Sequence, residues 1–135
     1  MPVTVMSSFF RFPPAFFDAL KQFNAGDYFA CHETLEELWI PETDSIREVY
    51  QGVLHVAVAC YHLSERANWH GAERQLERAI RRLTPWVPLI ESVDLARLQS
   101  DCRRLRSHLH ALGPAQVHKY DPAWLPHIAF TEPTV

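Results

Sequence analysis

The sequence lacks the features that identify most enzyme classes directly. It has three cysteines in 135 residues and no C-x-x-C pair, which argues against a disulfide framework and a thiolate zinc site. It also has no phosphate-binding glycine loop and no G-x-S-x-G turn, the marks of P-loop proteins and α/β-hydrolases. Any chemistry must therefore come from other side chains. Because Cys31, Cys60 and Cys102 fall in helical patterns, we expect them to be buried thiols.

Long apolar runs and a strong excess of one charge are missing as well. No stretch is long and apolar enough to span a membrane, and no basic segment precedes an apolar run at the N-terminus, so we expect a cytoplasmic protein without a membrane partner. The net charge of -3 argues against nucleic acid as a partner. Eight of the 13 basic residues are arginines between Arg74 and Arg106, and we interpret them as the solvated faces of two helices.

What the sequence does contain is helical periodicity from one end to the other. We find no strand-like alternation and no internal repeat, and 135 residues is the usual size of one domain. The pattern predicts an all-α fold, a single-domain antiparallel bundle of about five helices joined by short connections. Residues 1–12 are predicted to form an irregular arm, 13–112 the helical core, and 113–135 a tail that packs on the body.

Helix boundaries follow from capping and breaking residues. Pro13 and Pro14 suit the start of a first helix, Asp27 can cap a second, and Ser45 with Glu48 forms a capping box for a third. Asn68 to Gly71 are predicted as a turn. The expected helices run to about Phe23, from Asp27 to about Ile40, from Ser45 to about Arg66, from Ala72 to Leu83, and from Asp94 to Leu112.

The second helix carries an ionisable pair within an aromatic stripe. With His32 at zero on a helical wheel, Glu36 falls about 40° to one side, and Trp39 and Tyr28 fall about 20° and about 40° to the other. The wheel therefore predicts that His32 lies in the middle of the buried stripe, with Glu36 beside it. Polar groups that interrupt an apolar pattern cluster at functional sites.

The third helix is apolar around most of its circumference and keeps one narrow polar stripe. Glu48, Gln51, His55 and His62 lie within about 40° of His55 on the wheel. If helices two and three form a hairpin, Gln51 and His55 come near the level of His32. We predict that these two helices pack antiparallel with His32 and Glu36 facing the bundle.

Two kinds of chemistry suit this set. A neutral imidazole and a carboxylate at positions i and i+4 can bind one divalent metal ion, with a third ligand from the facing helix. The same His32 and Glu36 without metal could act as an acid–base pair. The structural alternative is a buried pair that satisfies its own hydrogen bonds. Gln51, Tyr28 and Trp39 are the predicted pocket-lining residues, for an unidentified small molecule.

The chain resembles a bacterial and archaeal family catalogued as domain of unknown function 309. The resemblance rests on a His, a Glu four residues later and a Trp three after that, met here by His32, Glu36 and Trp39. It extends over roughly residues 15 to 83. It implies a small all-helical protein, suggests metal binding at the motif, and implies no particular reaction. It favours His62 as a site residue, whereas the hairpin register favours His55, so both stay candidates.

Three functions remain open from the sequence. One is a metal-binding or acid–base site between helices two and three, built on His32 and Glu36 with His55 or His62. The other is a non-enzymatic interaction or dimerisation module in which the His/Glu pair is structural, with a homodimer as the expected assembly. A contact between nucleic acid and the arginine face is the third and weakest hypothesis.

Overall fold

Five α-helices follow one another in the part of the chain that the structure describes, and each packs on the next. The structure is a computed structural model that describes residues 11–88, 90 and 92–133. Over these residues it contains no β-strand, and Val93 and Phe130 form an isolated bridge. The all-α prediction is confirmed. The helices are α1 (Pro14–Asn24), α2 (Tyr28–Trp39), α3 (Arg47–Arg66), α4 (Trp69–Leu83) and α5 (Leu95–Leu112).

Helices α2 and α3 form an antiparallel hairpin, as predicted. At the closed end the Arg47 guanidinium lies 5.1 Å from the centre of a Trp39 ring. At the other end the rings of Phe29 and Tyr61 are 5.9 Å apart. The start of each helix therefore lies beside the end of the other.

Helices α3 and α4 pack closely because glycines lie at their contact. A Cβ placed on Gly52 would lie 2.6 Å from the Leu83 side chain, and one on Gly71 would lie 2.9 Å from the His62 ring. Such distances are too short for real carbon atoms, so larger side chains would force the two helices apart. The antiparallel order continues to α5, where the Trp69 indole donates to the carbonyl of Leu109 at 2.6 Å.

Two of the predicted helix starts need correction. Helix α4 begins at Trp69, three residues before the predicted start, because Asn68 is its N-cap and accepts from the Gly71 amide at 2.9 Å. The predicted capping box at Ser45 does not form. The N-cap of α3 is Ile46, without a side-chain cap.

The prediction for Asp27 is half right. It is the N-cap residue of α2, but its side chain makes no capping hydrogen bond. Gly26, in the turn before it, has a φ of +80°, the left-handed conformation that glycine adopts readily. The turn between α1 and α2 therefore depends on backbone conformation more than on a cap.

The core lies on both sides of α3, and ten of its 20 residues are buried. The three cysteines are free and buried, as predicted. Burial raises the pKa of the Cys31 thiol to about 12, so this thiol stays protonated near neutral pH.

Residues after α5 lie against the body of the protein. The Asn24 side chain donates to the Ile128 carbonyl and accepts from the Ile128 amide, both at 2.9 Å. Ile128 is 1% exposed. Before α1, Phe12 is buried and stacks on Phe16, with ring centres 4.1 Å apart; Phe9 and Phe10 lie outside the described residues. Over the described part of the chain, no helix has the length and apolar character needed to cross a membrane.

Candidate functional site

His32 and Glu36 form a loose, partly exposed pair on α2. The distance from His32 Nε2 to Glu36 Oε2 is 3.4 Å, and the two side chains are 27% and 46% exposed. That distance is long for a charge-assisted hydrogen bond, which is usually about 2.7–2.9 Å. Solvent therefore reaches both groups, and the pair is not a sealed buried one.

The buried face of α2 is rotated from its predicted position. The buried residues of this helix are Tyr28, Cys31 and Leu35, which place the centre of the buried face about 70° from His32 on the wheel. His32 lies at the edge of the core and not in its middle, so the prediction was wrong in this respect. Glu36 lies still further toward solvent.

Some polar atoms at this edge are buried without a partner. His32 Nδ1, Trp39 Nε1 and Arg47 Nε have no hydrogen bond to any residue that the structure describes. A buried polar group left unbonded costs about 1–3 kcal/mol. The His32 edge of α2 therefore has hydrogen-bonding capacity that the described chain does not use.

His55 faces α4, away from the candidate pair. It is 8% exposed. Its Nδ1 lies 2.6 Å from Gln75 Oε1, and its Nε2 accepts from Arg82 Nε at 3.3 Å. Because Gln75 Oε1 can only accept, Nδ1 carries the proton in the neutral ring. Arg82 Nη1 in turn donates to Glu48 Oε1 at 2.7 Å, so this carboxylate bonds α4 and not the backbone of α3.

The His55 ring is held in its neutral form. Burial is the main cause of its lowered pKa, and the charges of Arg82 and Arg78 lower it further, while Gln75 and Glu48 act in the opposite direction. Both ring nitrogens are in use, and the nearby charges include two guanidinium groups. These surroundings oppose a metal cation at His55, so the register argument that placed it beside His32 was wrong.

His62 lies at the far end of α3 against Gly71. Burial and the charge of Arg66 lower its pKa, and its Nδ1 is buried without a hydrogen bond to the described residues. The Tyr61 ring, next in the chain, contacts Phe29 of α2. His62 itself packs on the α4 side of α3, where no described carboxylate contacts it.

Within one chain, the structure therefore does not bring His55 or His62 together with His32 and Glu36, the other predicted metal ligands. No group of three or more His, Cys, Asp or Glu side chains among residues 11–88, 90 and 92–133 could hold a metal ion. Of the predicted lining residues, Trp39 lies near Arg47 at the site, Gln51 is half-buried on α3, and Tyr28 is buried on the core side.

Sequence analysis missed the α4 residues around His55, of which Gln75 and Arg82 bond the ring and Arg78 acts through its charge. Gln75, Arg78 and Arg82 are spaced at three and four residues, which places them on one face of α4. This spacing was the available signal. The prediction instead assigned these arginines to a solvated surface.

Comparison with known proteins identifies relatives of the chain. Residues 16–75 match a family model described as Domain of unknown function (DUF309), which includes α2 and α3. The chain is 40% identical over 86 residues to "Uncharacterized protein YpuF" of Bacillus subtilis (strain 168). That match covers 62% of this chain and 49% of the relative, so the chain spans about half of the relative's length. No solved structure matches the chain.

Proposed function

We propose that this chain, which over residues 16–75 is similar to the family described as Domain of unknown function (DUF309), is an interaction module that pairs with a second copy of itself through the outer face of α2. The family description carries no activity. The proposal rests on the side chains that α2 presents to solvent. It is the dimerisation alternative that the sequence left open.

Two large apolar side chains are strongly exposed on α2 and at its C-cap. Phe29 is 54% exposed and Ile40 is 65% exposed. Single exposed apolar residues are normal on protein surfaces, but these two share one sector. Relative to His32 at zero, Glu36 lies at about 40°, Phe29 at about 60° and Ile40 at about 80°, all on the same side of the helical wheel. The four residues form a strip, here called the α2 strip, along one side of the helix.

If two α2 helices pack antiparallel, each residue of the α2 strip would face a residue type that suits it. Along the chain it runs apolar, imidazole, carboxylate, apolar, at Phe29, His32, Glu36 and Ile40. Two such helices related by a two-fold axis near residue 34 would place Phe29 on the partner's Ile40. They would also place His32 beside the partner's Glu36. A two-fold interface requires that residue i contacts j while j contacts i, and this order meets that requirement.

Neighbouring side chains extend the strip toward α3. Trp39 and Tyr61 are half-buried and border it at opposite ends. One helix pair covers less area than a standard interface of about 1,600 Å². We therefore expect a reversible dimer in the micromolar range, about -8 kcal/mol.

The experiment measures association directly. Sedimentation velocity from about 1 μM to about 1 mM covers the range in which small reversible interfaces form. We expect a concentration-dependent dimer for the wild type and a monomer for Phe29→Glu, because the new charge would be buried without a partner. A wild type that stays monomeric throughout contradicts the proposal.

Charge reversal provides matched variants. Glu36→Lys should weaken the dimer, whereas Glu37→Lys, one residue along and exposed, lies about 100° away and should not. The double variant His32→Glu with Glu36→Lys restores an opposite-charge pair across the axis and should recover association. Equal weakening by Glu36→Lys and Glu37→Lys would indicate a general charge effect and count against the α2 strip.

A divalent metal ion at the centre of this pairing is the second candidate. Two ligand atoms at about 2.1 Å from an ion in tetrahedral geometry are about 3.4 Å apart, and His32 Nε2 and Glu36 Oε2 are 3.4 Å apart. One chain supplies two such ligands at the strip, and a second copy would supply two more. An acid–base role for the same pair stays a prediction.

The metal candidate has its own measurement. Zinc, manganese or iron(II) should raise both the melting temperature and the dimer fraction of the wild type, because a ligand that binds the assembled state stabilises it. Glu36→Gln should abolish both responses. If neither quantity responds to any of these ions, the metal candidate is rejected and the metal-free dimer is still tested by sedimentation.

A further inference from the structure

We propose that the cavity between the first turn of α3 and the last turns of α4 binds the phosphate group of a small organic anion. The cavity has a volume of about 330 Å³, at the lower end of the range of ligand pockets. It lies between α3 and α4, shares no residue with the α2 strip, and is independent of it. Its lining residues are Glu48, Arg78, Arg81, Arg82, Pro85 and Trp86.

The residues that line the cavity carry a net positive charge, because they include three arginines and one glutamate. Arg81 pairs with Glu77 at 3.1 Å and Arg82 with Glu48 at 2.7 Å. Arg78 makes no ion pair with any residue that the structure describes, and it is exposed. A guanidinium presents its donors in a planar fork that matches the oxygens of a phosphate, so Arg78 is available to a phosphate dianion.

Arg82 is oriented before any ligand arrives. Its Nε donates to His55 and its Nη1 to Glu48, and His55 is itself fixed by Gln75. No bond to the described residues uses Nη2, the remaining nitrogen. A donor that is already positioned loses less entropy on binding. The buried His55 therefore acts as a positioning residue for Arg82.

The placement of the arginines is unfavourable for α4 on its own. Arg74, Arg78 and Arg82 follow at intervals of four, and like charges at that spacing repel. The helix dipole accounts for basic residues in the last turn, Arg81 and Arg82. It does not account for Arg78, one turn earlier. An anion bound at Arg78 and Arg82 would relieve this repulsion.

The lining also includes an aromatic side chain on a segment that is held in place. Trp86 ends the short 3-10 segment Thr84–Trp86. The buried Gln99 fixes that segment by donating to Thr84 Oγ1 at 2.7 Å and to the Ile80 carbonyl at 2.8 Å. An aromatic face beside a phosphate subsite suits a ligand with a planar organic part. The limited volume favours a small phosphomonoester over a polymer.

Phenyl phosphate and inorganic phosphate are suitable probes. Titration calorimetry on the full chain should detect binding of both, with phenyl phosphate tighter because its ring can pack on Trp86. Arg78→Gln should weaken binding about tenfold or more, the worth of one charge-assisted contact. Arg82→Gln should do the same. Trp86→Ala should reduce the preference for phenyl phosphate while keeping inorganic phosphate.

Arg74→Gln is the matched control, because Arg74 is on the same helix one turn away and does not line the cavity. It should keep wild-type affinity. Arg82→Gln leaves Glu48 unpaired and could unfold the protein, so Arg78→Gln, an exposed position, is the decisive variant. Equal weakening by Arg74→Gln and Arg78→Gln overturns the proposal, as does the absence of binding by either probe. Tighter binding of a single-stranded oligonucleotide, lost equally on changing Arg74, Arg78 or Arg103, overturns it in favour of a diffuse nucleic-acid surface.

Discussion

Two histidines on neighbouring helices have similar sequence settings and opposite surroundings. His32 and His55 each interrupt an apolar helix face with a glutamate on the same face, four residues later in one case and seven earlier in the other. The ring of His55 is bonded at both nitrogens to α4. The ring of His32 keeps a loose contact to Glu36 and has an unpartnered Nδ1 among the residues that the structure describes.

The residue pattern therefore shows where polar side chains interrupt an apolar helix face, but it does not show which groups they bond. The polar set around His55 is closed within one chain, and it serves to orient Arg82. The polar set around His32 is open and borders the two exposed apolar residues of the α2 strip. The closed set supports the positioning role proposed for His55, and the open set supports the contact with a second copy proposed for His32.

Leu105→Ala should have the largest effect on stability and serves as a reference for the changes at the two histidines. Leu105 is fully buried on α5, outside both polar sets. Its truncation should lower the free energy of unfolding by about 2–5 kcal/mol, measured by urea denaturation. A loss below about 0.5 kcal/mol, typical of surface changes, would mean that α5 is peripheral and that the core is misassigned.

Substitution of the two histidines tests the comparison directly. His55→Leu should lower the free energy of unfolding by about 1–3 kcal/mol, because Gln75 and Arg82 lose their partner in a buried place. His32→Leu should not lower it, because the substitution removes a partly exposed ring whose buried Nδ1 has no partner among the described residues. Urea denaturation at low protein concentration, where a dimer dissociates, makes the two values comparable. Equal losses in the free energy of unfolding would mean that the surroundings of the two histidines do not differ as described.

Lowering the pH should destabilise the protein partly through His55, and this effect should be smaller than that of His55→Leu. The folded state lowers the pKa of His55, so the unfolded chain binds the proton more readily. The neutral form of the ring therefore contributes stability that is present above its usual pKa and is lost as pH falls below it. His55→Gln can donate to Gln75 and accept from Arg82 without titrating. Its melting temperature should fall less than that of the wild type between pH 7 and pH 5.

His62 is the control for that measurement, because its pKa is also lowered by burial and it lies outside the Arg82 chain. His62→Gln should remove its own share of the acid sensitivity and leave that of His55. If His55→Gln and the wild type lose equal stability on acidification, the ring is not held neutral by the contacts described.

Glu36→Gln should have the smallest effect on the isolated chain. A partly exposed ion pair contributes about 0–1 kcal/mol, and this one is long at 3.4 Å. We expect a change below about 0.5 kcal/mol in the monomer, together with clear weakening of the dimer. A loss of about 1 kcal/mol or more at low protein concentration would indicate that the pair is closed within the chain, like that of His55.

Sequence alone was sufficient for the five helices and most of their ends. Apolar spacing identified each helix, and prolines and glycines marked the turns. It failed for the start of α4 because Asn68 to Gly71 were predicted as a turn, whereas Asn68 is the N-cap of the helix and Trp69 already packs on the core. It failed for the capping box because Glu48 bonds to Arg82, 34 residues away, which no local pattern shows.

The candidate site was harder to predict for a geometrical reason. Helix α3 is apolar around most of its circumference, so its own pattern does not say which neighbour its polar stripe faces. The hairpin count gave the level of His55 but not its direction. For α2, the aromatic residues were used to centre the buried face, whereas Cys31 and Leu35 lie at its actual centre. That error of about 70° moved His32 from the edge into the core.

The paired hydrogen bonds between Asn24 and Ile128 connect points 104 residues apart in the chain. The Asn24 side chain acts there as a strand would, because it bonds both the amide and the carbonyl of one residue. The Ile128 amide can exchange its hydrogen with solvent only when this clamp opens. We therefore expect its exchange rate to follow the unfolding of α1 rather than the fraying of a free terminus. The last described segment and the first helix would then unfold as one cooperative unit.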